Sequence, residues 1–421
     1  MWREVATLKA SLWEQLLMKD QAITYSTLEK NIYRSDIYKY SYLQDKNIKD
    51  EAICEALRLS QNFSKHNFDI TTIESNEVDK DGDLKKRNFL AIFPEKLLIR
   101  KCARNISKIS SPFSQDRNKT IRELCSTLKW GAEQKIYKID IASYYESLSP
   151  HLITSTILKD DGISTHTKNI TISLLNQYWS SQGKGLPRGL EISNPLANLV
   201  LRSLDKEIKN HPDCLFYSRF IDDILIVSNQ SNGFDIRKTF NKMLPDELWL
   251  NTSKTVSLVN DKSESKFSYL GYEISIEGVK KPHGYRKVSL THTTSKIKSI
   301  KNKIFQSFLD YSRTKDFELL LDRLKYLSCN RSFKRGRGRY KSGIYYSNSE
   351  VNSPEKLRDI DKYLYAFSKN QGLSFLQGRC KLTIEQQREL KKVNFTSGYE
   401  KRYHLNLSYR RTQEVIKIWR R

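Results

Sequence analysis

The run Phe216-Tyr217-Ser218-Arg219-Phe220-Ile221-Asp222-Asp223-Ile224-Leu225-Ile226-Val227 constrains the fold most, because it sets two adjacent acids between two β-prone apolar stretches. Such a pattern predicts a β-hairpin with the acids at its tip. Neighbouring carboxylates in apolar surroundings repel by ~4 kcal/mol per close pair at an effective dielectric near 20, so a cation or protons must compensate. A divalent metal is the economical compensation. Asp is also a common turn residue, and a plain hairpin turn would use the same letters.

A second acid stands in a matching setting upstream. Lys135-Ile136-Tyr137-Lys138-Ile139-Asp140-Ile141-Ala142-Ser143-Tyr144-Tyr145 reads as a strand with one acid near its end, followed by an aromatic pair. Three carboxylates from two strand ends can hold two Mg²⁺ ions, one activating an attacking hydroxyl and one bound to a triphosphate and its leaving group.

The rest of the chain sets bounds on this chemistry. At 421 residues and 38% hydrophobic content, two or three domains with real cores are expected. No run of about 18 apolar residues occurs, and Met1-Trp2-Arg3-Glu4-Val5 does not read as a signal peptide, so a cytoplasmic protein with no membrane partner is expected. The six cysteines are scattered without CxxC spacing, which argues against a zinc site and for free thiols. Charge is unevenly spread. Residues 281–421 carry 33 Lys+Arg against 12 Asp+Glu, net +21, leaving 73−33=40 against 48−12=36, net +4, for residues 1–280. A polyanion-gripping module beside a near-neutral body is the natural reading, with a solvated basic surface as the plain alternative.

Local patterns predict the elements. Residues 1–134 read as mixed helix with polar turns, including a turn-like acidic stretch from Glu74 to Asp83 and a strand from Lys85 that ends at Pro94. Between 135 and about 278, short β-rich runs alternate with one clear helix. Its apolar positions are Leu196, Leu199, Val200, Leu204 and Ile208, behind an Asn194-Pro195 start. Beyond about 290 the chain reads as basic helices over Ile297 to Leu309, Phe317 to Leu327, Leu357 to Phe367 and Val415 to Trp419. Arg331 to Lys341 reads as a cationic, glycine-interrupted loop.

Five ordered blocks carry a wider resemblance: YKIDIASYYESL (137–148), GLPRGLEISNPLAN (185–198), YSRFIDDILIV (217–227), LNTSKT (250–255) and FSYLGYEI (267–274). Together they resemble the reverse transcriptases. The resemblance implies an α+β right-hand polymerase fold: mixed fingers over 1–134, a ferredoxin-like palm sheet over 135–280 with a fingers insertion near 150–185, and a helical basic thumb over 281–421. It implies RNA-directed DNA synthesis from dNTPs on an RNA template, with a DNA product.

Site residues follow block by block. Asp140, Ile141, Asp222 and Asp223 match the metal site for two Mg²⁺, with Mn²⁺ as the alternative ion. Tyr145 matches the aromatic steric gate beneath the sugar, with Tyr144 as the other candidate or a core residue. Pro187-Arg188-Gly189 falls where the family has Pro-Gln-Gly, so Arg188 replaces a glutamine at the nucleotide and template base, and Gly189 fits close backbone approach. Lys254 matches a lysine that supports the pyrophosphate leaving group. Lys86 and Arg87 resemble the fingers cations for the triphosphate. Tyr269, Leu270 and Gly271 match the primer-grip hairpin. Lys334, Arg335, Arg337 and Arg339, interleaved with Phe and Tyr, are candidate nucleic-acid contacts.

The PRGLEIS variant, the RFIDDI core and GIYYSN (343–348) are similar to bacterial abortive-infection and antiphage reverse transcriptases. The short chain further resembles the smaller polymerase of two-polymerase type 3 defence systems. This implies a noncoding RNA as template or scaffold, a second reverse transcriptase subunit and a higher-order oligomer as partners. The alternatives are a polymerase that extends DNA without a template, and an idle RNA-binding scaffold, against which the three intact aspartates argue.

Overall fold

The computed structural model describes residues 21–78, 84–110, 116–130, 133–182, 184–229, 240, 242–260, 264–277, 284–335, 338–369 and 381–419. The chain divides into two compact units. One comprises residues 1–114 and 135–258, the other residues 115–134 and 259–421. Helix and strand are mixed throughout.

The first unit is built on a four-stranded sheet. Its strands are β3 (Gln134–Asp140), β4 (Cys214–Phe220), β5 (Asp223–Asn229) and β6 (Val256–Asn260), in the order β4-β5-β3-β6. The inner strand β5 is apolar on both faces, and Ile224 to Val227 are fully buried. Helices Phe93–Ser110, Pro150–Lys159, Thr165–Gln182, Ser193–Val200 and Arg202–Asn210 share its core, contributing Leu98, Ile157, Leu174, Leu196 and Leu204 among others. Burying such an apolar strand between helices is what removes its surface from water. A separate ribbon, β1 (Ile70–Val78) with β2 (Leu84–Leu90), pairs antiparallel from Ile70↔Leu90 to Val78↔Leu84.

Three local expectations are corrected in this unit. The acidic stretch from Glu74 is strand as far as Val78, because its backbone pairs with β2; residues 79–83 lie outside the described residues. Pro94 does not end a strand: β2 stops at Leu90, and Pro94 sits in the first turn of the helix Phe93–Ser110, where its missing N–H costs nothing. The single helix through Leu196 and Ile208 is two. Leu201, at φ −92° and ψ 7°, breaks the ladder between Ser193–Val200 and Arg202–Asn210, while both pieces keep their apolar faces in the core.

The second unit contains a three-stranded antiparallel sheet of β7 (Ser265–Tyr269), β8 (Tyr272–Ile276) and β9 (Val288–His292), with helices Thr294–Thr314, Phe317–Ser328, Glu355–Ser368 and Tyr409–Ile416. The first three fall where apolar spacing predicts them; the fourth begins at Tyr409, six residues before the expected Val415, and gives way to a 3-10 turn over Lys417–Trp419. The segment from Arg331 to Lys341 does not form the expected loop. It makes a hairpin of β10 (Asn330–Arg335) and β11 (Gly338–Gly343), in which Phe333 faces Tyr340 with ring centroids 5.9 Å apart and planes 21° from parallel. Cross-strand aromatic pairing supports the two strands. Among the described residues no helix is long and apolar enough to cross a membrane.

Candidate active site

The acids meet where the end of β3 adjoins the start of β5. Phe220 pairs with Asp223, so Ile221-Asp222 forms a two-residue loop. Ile221 has φ 62°, a left-handed conformation that is unusual for a β-branched residue and costs roughly 1–3 kcal/mol. Something must hold it there. Arg219 donates from Nη1 to the Ile221 carbonyl (3.1 Å) and to Asn198 Oδ1 (3.0 Å), while its Nε and Nη2 bind the two oxygens of Asp205 at 2.7 and 2.5 Å. Tyr217 donates its hydroxyl to the same Asp205 at 2.5 Å. The Arg219 and Asp205 side chains are each 5% exposed, so the tip is fastened to helix Arg202–Asn210 by a buried ion pair.

Asp140 is held from both sides. The Ile141 N–H donates to the Asp222 carbonyl (3.3 Å), Ala142 N–H to the Trp249 carbonyl (3.0 Å), and Asn251 N–H to the Asp140 carbonyl (2.7 Å). Its carboxylate accepts from Asn251 Nδ2 at Oδ2 (2.9 Å) and from Lys254 Nζ at Oδ1 (3.4 Å). Ser253 in turn donates to Asn251 Oδ1 (2.8 Å), which fixes the orientation of that amide. Lys254 is thus joined to the acids, as an exposed lysine.

The electrostatics are those of crowded carboxylates. Burial pushes the Asp223 carboxyl up to about 6, against the opposing pull of Lys138, with Asp222 and Asp140 adding to the rise. Asp222 is raised by burial first, then by Asp140, although its own backbone N–H, Lys254 and Arg188 pull the other way. The Asp223 Oδ1 atom is buried and has no hydrogen-bond partner. An orphaned acceptor among neighbouring acids is a donor set suited to a hard divalent cation. Among the described residues no three His, Cys, Asp or Glu side chains already converge at ligand distance.

Around the acids lies a turn fitted closely to its neighbours. Tyr144 is buried and donates to the Ala197 carbonyl (2.5 Å), whereas Tyr145 is half-buried. Gly185 has φ +81° and Gly189 φ +99°. A Cβ at Gly185 would stand 2.4 Å from the Tyr145 carbonyl oxygen, and one at Gly189 2.5 Å from the Asn88 carbonyl oxygen. Only glycine fits either position. The Arg188 carbonyl accepts from Asn88 N–H (2.6 Å) and Nδ2 (3.2 Å), tying the turn to β2 beside the exposed Lys86 and Arg87. The Arg188 side chain forms a fork with Glu146, Nε to Oε1 and Nη2 to Oε2 (2.9 Å), and its guanidinium lies 5.2 Å from the Tyr145 ring centroid.

The first unit therefore brings together Asp140, Ile141, Asp222, Asp223, Lys254, Tyr145, Arg188 and Gly189, with Lys86 and Arg87 on the adjoining strand. Sequence reading missed four residues: Asn251, Arg219, Asp205 and Glu146. Asn251 and Arg219 stand inside the quoted blocks, and Glu146 directly follows Tyr145.

The remaining candidates belong to the second unit. Tyr269 pairs with Tyr272 across Leu270 (φ 47°) and Gly271 (φ 76°), both left-handed as in a type I′ turn. Arg117 Nε donates to the Leu270 carbonyl at 2.7 Å. Lys334, Arg335 and Arg339 lie on the β10–β11 hairpin, but their side chains, and Arg337 altogether, lie outside the described residues. Phe333 and Tyr340 beside them are 48% and 50% exposed.

Residues 91–274, which span the acids, the Arg188 turn and the Tyr269 hairpin, match the family described as reverse transcriptase (RNA-dependent DNA polymerase). The match covers less than half of the chain. Over those residues the chain is similar to RNA-dependent DNA polymerases. Among solved structures, apo telomerase from Candida Tropicalis truncated from its C-terminal domain is similar at 12% identity and a TM-score of 0.34, over 52% of this chain and 57% of that one. The chain thus spans little more than half the length of that structure. No curated protein matches.

Proposed function

We propose that the chain copies an RNA into DNA by two-metal nucleotidyl transfer at Asp140, Asp222 and Asp223, with Ile141 beside them. The observation that carries this reading is the crowded acid cluster with its orphaned Asp223 Oδ1. Bound Mg²⁺ or Mn²⁺ would supply Lewis-acid stabilisation of the charge that develops at the reacting oxygens. The protein residues do the remaining work. Asn251 holds one Asp140 oxygen at 2.9 Å, while Lys254, 3.4 Å from the other oxygen, is placed to neutralise a departing pyrophosphate. Tyr145 stands beneath the sugar as the gate that excludes a 2′-hydroxyl, and Arg188, Gly189, Lys86 and Arg87 surround the incoming nucleotide.

In this reading residues 1–134 are the fingers, 135–280 the palm with a fingers insertion near 150–185, and 281–421 the thumb. The Tyr269-Leu270-Gly271 turn serves as primer grip. Lys334, Arg335, Arg337 and Arg339 contact phosphates, with Phe333 and Tyr340 exposed for contact with sugars or bases. The biological setting we propose is antiphage defence by a bacterial enzyme, as the smaller polymerase of a two-polymerase type 3 system, with a noncoding RNA and a second polymerase subunit as partners. A second reading is DNA extension without a template. It is favoured by Arg188, which is engaged by Glu146 at a position where the family has a glutamine. Sequencing the RNA and DNA that copurify with the chain decides between them: a discrete RNA with complementary DNA supports templated synthesis, and homopolymeric or random DNA overturns it.

A further inference from the structure

We infer that Arg188 and Glu146 act together as positioning residues for Tyr145, clamping its ring and so setting how strictly the enzyme rejects ribonucleotides. The inference rests on the reading of Tyr145 as the sugar gate.

The ring has two neighbours that could fix it. Tyr144 meets it edge to face, with centroids 6.2 Å apart and planes at 73°, and Tyr144 is itself buried with its hydroxyl on the Ala197 carbonyl. Arg188 supplies the other neighbour, its guanidinium carbon 5.2 Å from the centroid. A long arginine side chain is ordinarily a poor wall, because its rotamers are many. Here that freedom is removed at both ends. The Arg188 carbonyl is bound by the N–H and the side-chain amide of Asn88, between Pro187 and a Gly189 that tolerates no Cβ. The guanidinium is bound through two nitrogens to both oxygens of Glu146. Such a fork fixes the plane of the group as well as its position, which a lysine could not do.

Glu146 follows Tyr145 directly, and the Tyr145 carbonyl accepts from the Leu186 N–H at 2.8 Å. The gate, its clamp and the turn therefore form one closed unit: 145–146 on one side, 185–189 on the other. A surface ion pair would by itself contribute little, and the side chains of Arg188 and Glu146 are 42% and 53% exposed. The role is accordingly one of geometry. A loosened ring still blocks part of the space beneath the sugar, so the penalty against ribonucleotides should shrink without vanishing.

The test is primer extension on poly(rA)·oligo(dT) with Mg²⁺, reading the ratio of kcat/KM for dTTP to that for UTP. Arg188→Gln should lower the ratio by about three- to tenfold, the range expected for losing one cation–π contact. Glu146→Gln should lower it in the same direction, and Arg188→Lys should not restore it. In the Tyr145→Ala background, Arg188→Gln should change the ratio no further, since residues acting through one ring are not additive. A wild-type ratio in Arg188→Gln, or full additivity in the double variant, overturns the inference while leaving the gate intact. A wild-type ratio in Tyr145→Ala alone overturns the gate reading, and the clamp with it.

Discussion

Two hairpins in this chain have loops of equal length and opposite character. In β4–β5, Phe220 pairs with Asp223 across two residues; in β10–β11, Arg335 pairs with Gly338 across two. The first carries acids into a buried strand, and the second carries cations beside a half-exposed Phe333 and Tyr340. Burial forces every charge in the first to be fastened or compensated, and so Arg219, Asp205 and Tyr217 grip its tip while Asp223 keeps an unmet acceptor. An aromatic ring carries no charge to compensate, so Phe333 and Tyr340 can stand half-exposed, stacked on each other.

The contrast breaks most readily at Arg219. If the acidic tip depends on its buried ion pair, Arg219→Ala should destabilise the protein by about 3–5 kcal/mol, because Asp205 is left buried and uncompensated. Urea unfolding measures this, and a loss below ~1 kcal/mol would mean that the tip holds without the pair. On the basic side, changing Lys334, Arg335, Arg337 and Arg339 to Gln should reduce RNA affinity and lower the salt slope by roughly two to three units, at about 0.7 to 0.9 log units per phosphate contact per tenfold salt. An unchanged slope would make this hairpin a solvated surface.

The smallest expected effect concerns Asp223. Its folded-state pKa of about 6 lies above the ordinary 3.8, so the folded protein binds the proton more tightly. Stability is then lost as pH rises from about 4 to 6 and is not regained above. Metal-free Asp223→Asn should therefore be more stable than wild type by about 1 kcal/mol at pH 7.5, with the gap closing towards pH 4. An offset that is constant with pH would mark a packing effect instead.

How much of this was legible in sequence follows the range of the interactions. The β4–β5 run and Asp140 announce themselves through local alternation, and the helices over residues 294–314, 317–328 and 355–368 through local spacing. Asn251 reaches Asp140 across 111 residues of chain, and Arg188 reaches Glu146 across 42, so no local pattern marks either pair. The β10–β11 hairpin is hidden because glycine and arginine read as a loop and each strand holds a single β-prone aromatic, Phe333 or Tyr340. Pro94 misled in the opposite direction, since the same residue that ends a strand also opens a helix.

The central claim is that the acids of the β4–β5 tip drive templated DNA synthesis, and the direct measurement is dNTP incorporation on a defined RNA template by Asp222→Asn, Asp223→Asn protein. The account predicts that incorporation falls by about 10³-fold or more while folding and RNA binding remain near wild type, because only ligands and their mutual repulsion are removed. Incorporation at the wild-type rate, with product still complementary to the template, would contradict it.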